Sequence, residues 1–122
     1  MNLNEVKDSA PGFGMGDSQE ARFAREDLEA EQTGLSHIKV KPGKRMPFGH
    51  KHEEAEEIYV VIAGSGRIKL DDEIIDVVEL DAIRIAPAVG RCIEGGPEGI
   101  SVLAVGAHHE KDGELLQDWW ND

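Results

Sequence analysis

Short runs of apolar or alternating residues, separated by glycine, proline and aspartate, make up most of this sequence. From position 20 onward they predict eight short strands, at 21–25, 35–40, 58–63, 67–70, 73–78, 82–85, 91–94 and 100–105. No long stretch with helical periodicity separates these runs, which argues against a parallel α/β sheet. The pattern therefore predicts an all-β fold, either a sandwich or a closed barrel.

The two ends of the chain depart from this pattern. Residues 1–18 are rich in glycine and predict an extended N-terminal arm, whereas 19–122 predict a single barrel with a short C-terminal tail. The tail at 113–120 is the best helical candidate. Its Trp119-Trp120 pair is expected to pack on the barrel or on a partner chain, because exposed tryptophan pairs are unusual. Edge strands of small barrels tend to be covered, so a homodimer is also expected.

Composition narrows the classes of partner. The net charge is −12, from 25 acidic against 13 basic residues, which disfavours nucleic acid and anionic membranes. Cys92 is the single cysteine, so no internal disulfide can form, and the N-terminus lacks the features of a signal peptide. The glycines at 12–16 have no preceding strand and no P-loop lysine, so no nucleotide cofactor is expected. A cytoplasmic protein that binds a small molecule is the resulting prediction.

One stretch carries residues typical of a metal site. On a strand, His50 and His52 project from the same face, and two neighbouring imidazoles form a chelating pair. A carboxylate from a second strand would complete a set of two histidines and one acid with open coordination positions. A His-x-His pair alone is weak evidence, but here it stands in order between Gly43 and the pair Glu57 and Gly64.

This order resembles the first motif of the cupin family, in which a glycine, His-x-His, a glutamate and a second glycine follow one another at set spacings. Four residues separate His52 from Glu57 and six separate Glu57 from Gly64, while the leading spacer is one residue longer than usual. The segment 80–91 is similar to the second cupin motif, and the resemblance spans roughly 34–106. It implies a double-stranded β-helix, the cupin or jelly-roll barrel.

The resemblance also implies that His50, His52 and Glu57 bind a divalent metal ion such as Fe, Mn, Ni or Zn. Arg91 stands where the second motif carries its fourth ligand, a histidine, and an arginine cannot coordinate a metal. A guanidinium about 4 Å from a divalent ion would oppose its binding by about 8 kcal/mol at an effective dielectric near 20. Three alternatives stay open: Arg91 points elsewhere, it weakens metal binding, or it replaces the metal in a bridge to Glu57.

Two functions follow from these residues. The first is a metal-dependent enzyme acting on a small polar or anionic molecule that Arg91 orients. The second is a metal-free, non-catalytic binding barrel in which Arg91 anchors an anion. Tyr59 lies on the ligand face and is a binding candidate, with core packing as its alternative. Cys92 is expected to be buried and not a nucleophile, and the adjacent His108 and His109 are not expected to be joint ligands.

Overall fold

The computed structural model of the protein describes residues 1–107 and 112–121, which form eight strands and two short 3-10 helices. The histidines at 108 and 109 lie outside the described residues. The strands are β1 Gln19–Phe23, β2 Thr33–Val40, β3 Gly49–His52, β4 Glu57–Leu70, β5 Glu73–Val78, β6 Ala82–Ile85, β7 Arg91–Ala107 and β8 Gly113–Leu116.

The strands form one curled antiparallel sheet in the order β1-β2-β7-β3-β8, and β4 also pairs with β5, β6 and β7. The all-β prediction is confirmed. The long strands β4 and β7 pair with each other along most of their length and turn the sheet around its core. That core is a single cluster of buried side chains, formed chiefly by Ile38, Val40, Met46, Tyr59, Val61, Ile68, Val77, Ile85, Cys92, Ile93, Ile100, Val102, Ala104 and Trp120.

The breaks predicted at 64–66 and 95–99 lie instead inside the long strands β4 and β7. A side-chain carbon at Gly64 would collide with the carbonyl of Gly99, and one at Gly66 would collide with the carbonyl of Glu94. These glycines therefore permit a close approach of β4 and β7 at a register shift and do not end a strand. The sequence prediction separated 58–63 from 67–70 because a glycine pair reads as a turn when its partner strand is unknown.

The helix predicted for 113–120 is wrong. Gly113–Leu116 forms β8, which pairs antiparallel with β3 and places Leu115 opposite His50. An isolated helix of this length is marginal in water, whereas pairing with β3 satisfies the backbone of both strands.

The tryptophan pair after β8 packs on the barrel, as the sequence predicts. Trp120 is buried in the core cluster, and the Arg45 guanidinium lies 4.1 Å from its ring centroid. Lys69 donates to the carbonyl of Trp119 at 2.7 Å and lies 4.3 Å from the Trp119 ring. These contacts fasten the C-terminal segment beside the strands that carry the candidate site.

Residues 1–18 contain two 3-10 helices, Leu3–Glu5 and Pro11–Phe13, where the sequence suggested an extended arm. The carboxylate of Asp8 accepts a hydrogen bond from the backbone of Ala21 in β1 at 2.9 Å. Two side chains of the arm, Ala10 and Met15, are buried in a small cluster with Ala21 of β1 and with Phe48. The arm is therefore fastened along β1, at the mouth of the cavity described below. No helix among the described residues is long and apolar enough to cross a bilayer.

Candidate metal centre

Strand β3 places the two histidines side by side. The strand begins at Gly49, where a side-chain carbon would come within 2.6 Å of the Trp119 ring, so only glycine lets β3 pass this close. His50 and His52 lie two positions apart and point to the same side. Their ring centroids are 5.3 Å apart and their planes are nearly perpendicular, at 89°.

Glu57, the first residue of β4, brings a carboxylate to the same point. Its Oε1 lies 3.6 Å from Nε2 of His50 and 3.3 Å from Nε2 of His52. The ligand atoms of the three residues all lie within 4.8 Å of one another. The convergence that the sequence predicts is therefore present in the structure.

Arg91 is wholly buried and bonded to protein groups. Its Nη1 donates to Oε1 of Glu57 at 2.5 Å, and Nη2 donates to the carbonyls of Ala86, Pro87 and Val89 at 2.8–3.1 Å. The guanidinium thus faces Glu57 and a loop instead of a cavity. This corrects the expectation that Arg91 anchors an anionic ligand, and matches the alternative in which it bridges to Glu57.

The contacts of Glu57 favour its ionised form. Burial by itself would raise the pKa of this carboxyl, but its contacts with His50 and His52 and the charge of Arg91 hold the pKa well below its usual range. Tyr59 lies two residues further along β4 and is 1 % exposed. Burial, reinforced by the negative charge of Glu57, raises the pKa of its phenol, so Tyr59 is neutral at physiological pH.

Asp112 is a site residue that sequence reasoning missed. Its carboxylate accepts three backbone hydrogen bonds, from Glu53 at 2.7 Å and from Glu54 and Ala55 at 2.9 Å. Its Oδ2 also lies 3.3 Å from Nδ1 of His52. Asp112 therefore holds the turn between β3 and β4 and faces the back of one ligand ring. Only an aspartate beside a glycine marked this position in the sequence, which is too common a pair to single out.

A cavity of about 540 Å³ opens onto the centre. His50, His52, Glu57 and Tyr59 line one end of it, so Tyr59 lies on the ligand face as expected while also packing in the core. The remaining wall comes from the arm, from the segment ahead of β3 and from strands β1, β2, β7 and β8, through Phe13, Met15, Gln19, Ala21, Phe23, Ser36, Ile38, Met46, Phe48, Ala104, Gly113, Glu114 and Leu115.

The donor set fits a divalent metal ion. Two imidazole nitrogens and one carboxylate oxygen suit Zn, Fe, Ni and Mn, and they occupy one side of a site that opens to a cavity. Nε2 of His52 is buried and makes no hydrogen bond with the described part of the chain. Oε1 of Glu57 lies 3.3 Å from this nitrogen. A buried nitrogen that makes no hydrogen bond is costly, and a metal ion held with Glu57 would bind it directly.

Two further residues lie away from the centre. Cys92 is 1 % exposed, its thiol lies 3.5 Å from the carbonyl of Met46, and burial raises its pKa to about 11. The expectation of a buried thiol is confirmed. His37, also buried, makes a 2.6 Å hydrogen bond with Ser101 outside the cavity.

Comparison with solved structures supplies the family. A cupin protein from Bacteroides fragilis is 28% identical with a TM-score of 0.69, and the match covers 75% of this chain and 78% of that one. An oxalate decarboxylase variant from Bacillus subtilis is 26% identical with a TM-score of 0.77, covering 98% of this chain and 32% of that one. This chain is a small cupin-superfamily protein.

This chain spans about a third of the oxalate decarboxylase chain, so the match reaches only part of that enzyme. A polyketide cyclase from Streptomyces resistomycificus shares its fold, with a TM-score of 0.76 at 18% identity over 100% of this chain and 86% of that one. No protein-family model and no curated protein sequence matches this chain. The double-stranded β-helix implied by the sequence is confirmed by these structures, whereas the reaction is not established by them.

Proposed function

We propose that His50, His52 and Glu57 bind a divalent metal ion, and that this centre acts on a small organic molecule held in the adjoining cavity. The observation that carries the proposal is the convergence of the three ligand atoms within 4.8 Å, with Nε2 of His52 buried and without a hydrogen bond. Three protein ligands leave coordination positions for a substrate, and a bound ion would supply Lewis-acid chemistry there.

The protein's own residues prepare the site for such an ion. Glu57 stays ionised at neutral pH, so it offers a charged ligand without first losing a proton. Arg91 holds the carboxylate through Oε1, and Asp112 holds the turn that connects the ligand strands. Tyr59 is neutral and buried, so it forms a wall of the cavity and is not a base at physiological pH.

A second candidate function rests on the 2.5 Å bridge between Arg91 and Glu57. The guanidinium already neutralises the carboxylate, and its charge opposes a nearby divalent ion. A barrel in this state would bind small molecules without a metal and without catalysis. The two candidates differ in one measurable property, the metal content of the purified protein.

Metal content distinguishes them directly. The full chain is purified without a polyhistidine tag, and bound metal is measured by mass spectrometry. The proposed function predicts about one ion per chain, lost in His52→Ala and in His50→Ala. The control His37→Gln changes a buried histidine outside the cavity and should retain the metal. Metal content that is near zero, or equal in all four proteins, would reject the metal centre and favour the metal-free barrel.

A further inference from the structure

The cavity beside the metal centre lacks the side chains that bind strong anions. Among the described residues, no lysine or arginine lines it. The guanidinium of Arg91, which contacts the candidate ligand Glu57, is committed to that carboxylate and to three loop carbonyls. Away from the metal ligands, a phosphate ester or a dicarboxylate would bury its charge without a cationic side chain beside it, which is costly.

Apolar side chains form most of the wall instead, and three of them are phenylalanine rings. Phe13 comes from the arm, Phe23 from β1 and Phe48 from the segment ahead of β3, and Met15 and Leu115 also line the cavity. The cavity volume of about 540 Å³ is within the range of ordinary small-molecule sites. Aromatic walls contact flat, apolar ligands over large areas, so the cavity suits a molecule with a ring-sized body.

Besides the His52 ring at the metal centre, a second polar side chain in the wall has an atom without a hydrogen bond among the described residues. Gln19 is 1 % exposed and lines the cavity, and its Oε1 is buried without a hydrogen bond among the described residues. Buried polar atoms are normally paired, so an orphaned acceptor beside a cavity needs a donor from elsewhere. A hydroxyl or N–H group on a bound ligand would provide that donor.

We infer that the ligand of this cavity is a largely apolar molecule with a ring-sized body and a hydroxyl or N–H group that donates to Gln19. It is not a phosphate ester or a dicarboxylate. The inference rests on the proposed function only in taking the polar end of the cavity as the metal centre. The apolar wall and the Gln19 oxygen without a hydrogen bond exist whether or not a metal binds, and they favour a less polar ligand than the polar or anionic substrate expected from the sequence.

Binding of 2-naphthol to the full-length, metal-free protein tests the inference. Calorimetry should show saturable binding of 2-naphthol and none of oxalate or glucose 6-phosphate. The ether 2-methoxynaphthalene has the same ring body without the O–H donor and should bind about tenfold more weakly, a difference of about 1.4 kcal/mol. Binding of either anion in place of 2-naphthol, or no binding of 2-naphthol, would overturn the inference.

Two variants locate the binding. Gln19→Leu should remove the preference for 2-naphthol over its methyl ether, whereas Gln117→Leu, an exposed glutamine outside the cavity, should keep it. Phe23→Ala should weaken 2-naphthol about tenfold, a change of about 1.4 kcal/mol. Its control Ile74→Ala removes an apolar side chain of similar exposure from β5, outside the cavity, and should have no effect. Equal effects of a variant and its control would place the binding elsewhere and refute the assignment.

The outcomes separate this inference from the proposed function. Protein that contains metal but does not bind 2-naphthol would overturn the inference and leave the metal centre standing. Protein that binds 2-naphthol with the Gln19 preference but never contains metal would support the inference and reject the metal centre.

Discussion

The buried bridge between Arg91 and Glu57 makes a prediction about stability that can be worked out from the structure. Nη1 and Oε1 lie 2.5 Å apart, which corresponds to an attraction of about 7 kcal/mol at an effective dielectric near 20. Desolvation of both groups offsets much of this attraction, so the pair itself contributes little net stability. Removing one partner leaves the other charge buried alone, at a cost of about 3–5 kcal/mol. Arg91→Met should therefore lower the unfolding free energy by about that amount.

The assay is urea unfolding of chelator-treated protein at pH 7, followed by tryptophan fluorescence. A double-mutant cycle with Glu57→Gln should give a coupling energy of about 2–3 kcal/mol, because each single change leaves an unpaired buried group. Arg84→Met is the matched control, since Arg84 bridges Glu56 at 2.6 Å with side chains that are 66% and 53% exposed. Loss of that exposed pair should lower the free energy of unfolding by less than about 1 kcal/mol.

Two results would refute this reasoning. The first is that Arg91→Met lowers the free energy of unfolding no more than Arg84→Met does. The second is that its effect is unchanged in the Glu57→Gln background. Should Arg91→Met fail to fold, Arg91→Lys provides the measurement. It keeps the charge but cannot bond Glu57 and three carbonyls at once, and should fall between the wild type and the Met variant.

Three more predictions concern Asp112, Glu57 and Cys92. Asp112→Asn should weaken Zn²⁺ affinity about 10–100-fold in a chelator competition, because the turn before β4 and the His52 ring lose their contacts with the carboxylate. Glu114→Gln changes a residue of the cavity wall that lacks those contacts and should leave the Zn²⁺ affinity unchanged. In metal-free protein, the depressed pKa of Glu57 means that its stabilising effect is complete above its unfolded pKa of about 4.3 and is lost as pH falls through its folded value, so Glu57→Gln should flatten the acid limb of the unfolding free energy. A steep acid limb in that variant would assign the effect to other carboxyls. The Cys92 thiol, with its pKa of about 11, should react with Ellman's reagent at pH 8 only at the rate of unfolding; rapid labelling of folded protein would contradict its burial.

The homodimer and the cytoplasmic location stay predictions. Sedimentation equilibrium of the full chain measures the first. A monomer at micromolar concentration would contradict it, and a mass of twice the chain would support it.

Much of the fold could be predicted from the sequence because strand alternation is a local property. The bounds of β5 and β6 were predicted to the residue, since aspartates precede both strands and Pro87 follows β6. The failures occurred where the partner strand decides the outcome. Glycines at 64 and 66 read locally as a turn, and only the nearness of β7 shows them to be points of close approach.

The candidate site, like the fold, could be predicted only in part from the sequence. His50 and His52 share a face by strand geometry alone, and the spacing to Glu57 matches a family motif, so the sequence was enough to name all three ligand candidates. The partners of those ligands are set by distant parts of the chain. Arg91 lies 34 positions from Glu57, and Asp112 lies 57 positions from Ala55.

The sequence by itself therefore determined an all-β chain with two histidines and an acid on neighbouring strands, because spacing and alternation act over a few residues. Only the tertiary structure decided that Arg91 is committed to Glu57, that the C-terminal segment is a strand beside β3, and that the cavity wall is apolar. Each of these depends on which groups satisfy a buried charge, a backbone edge or an apolar surface once the whole chain has closed, and that choice is not a local property of the sequence.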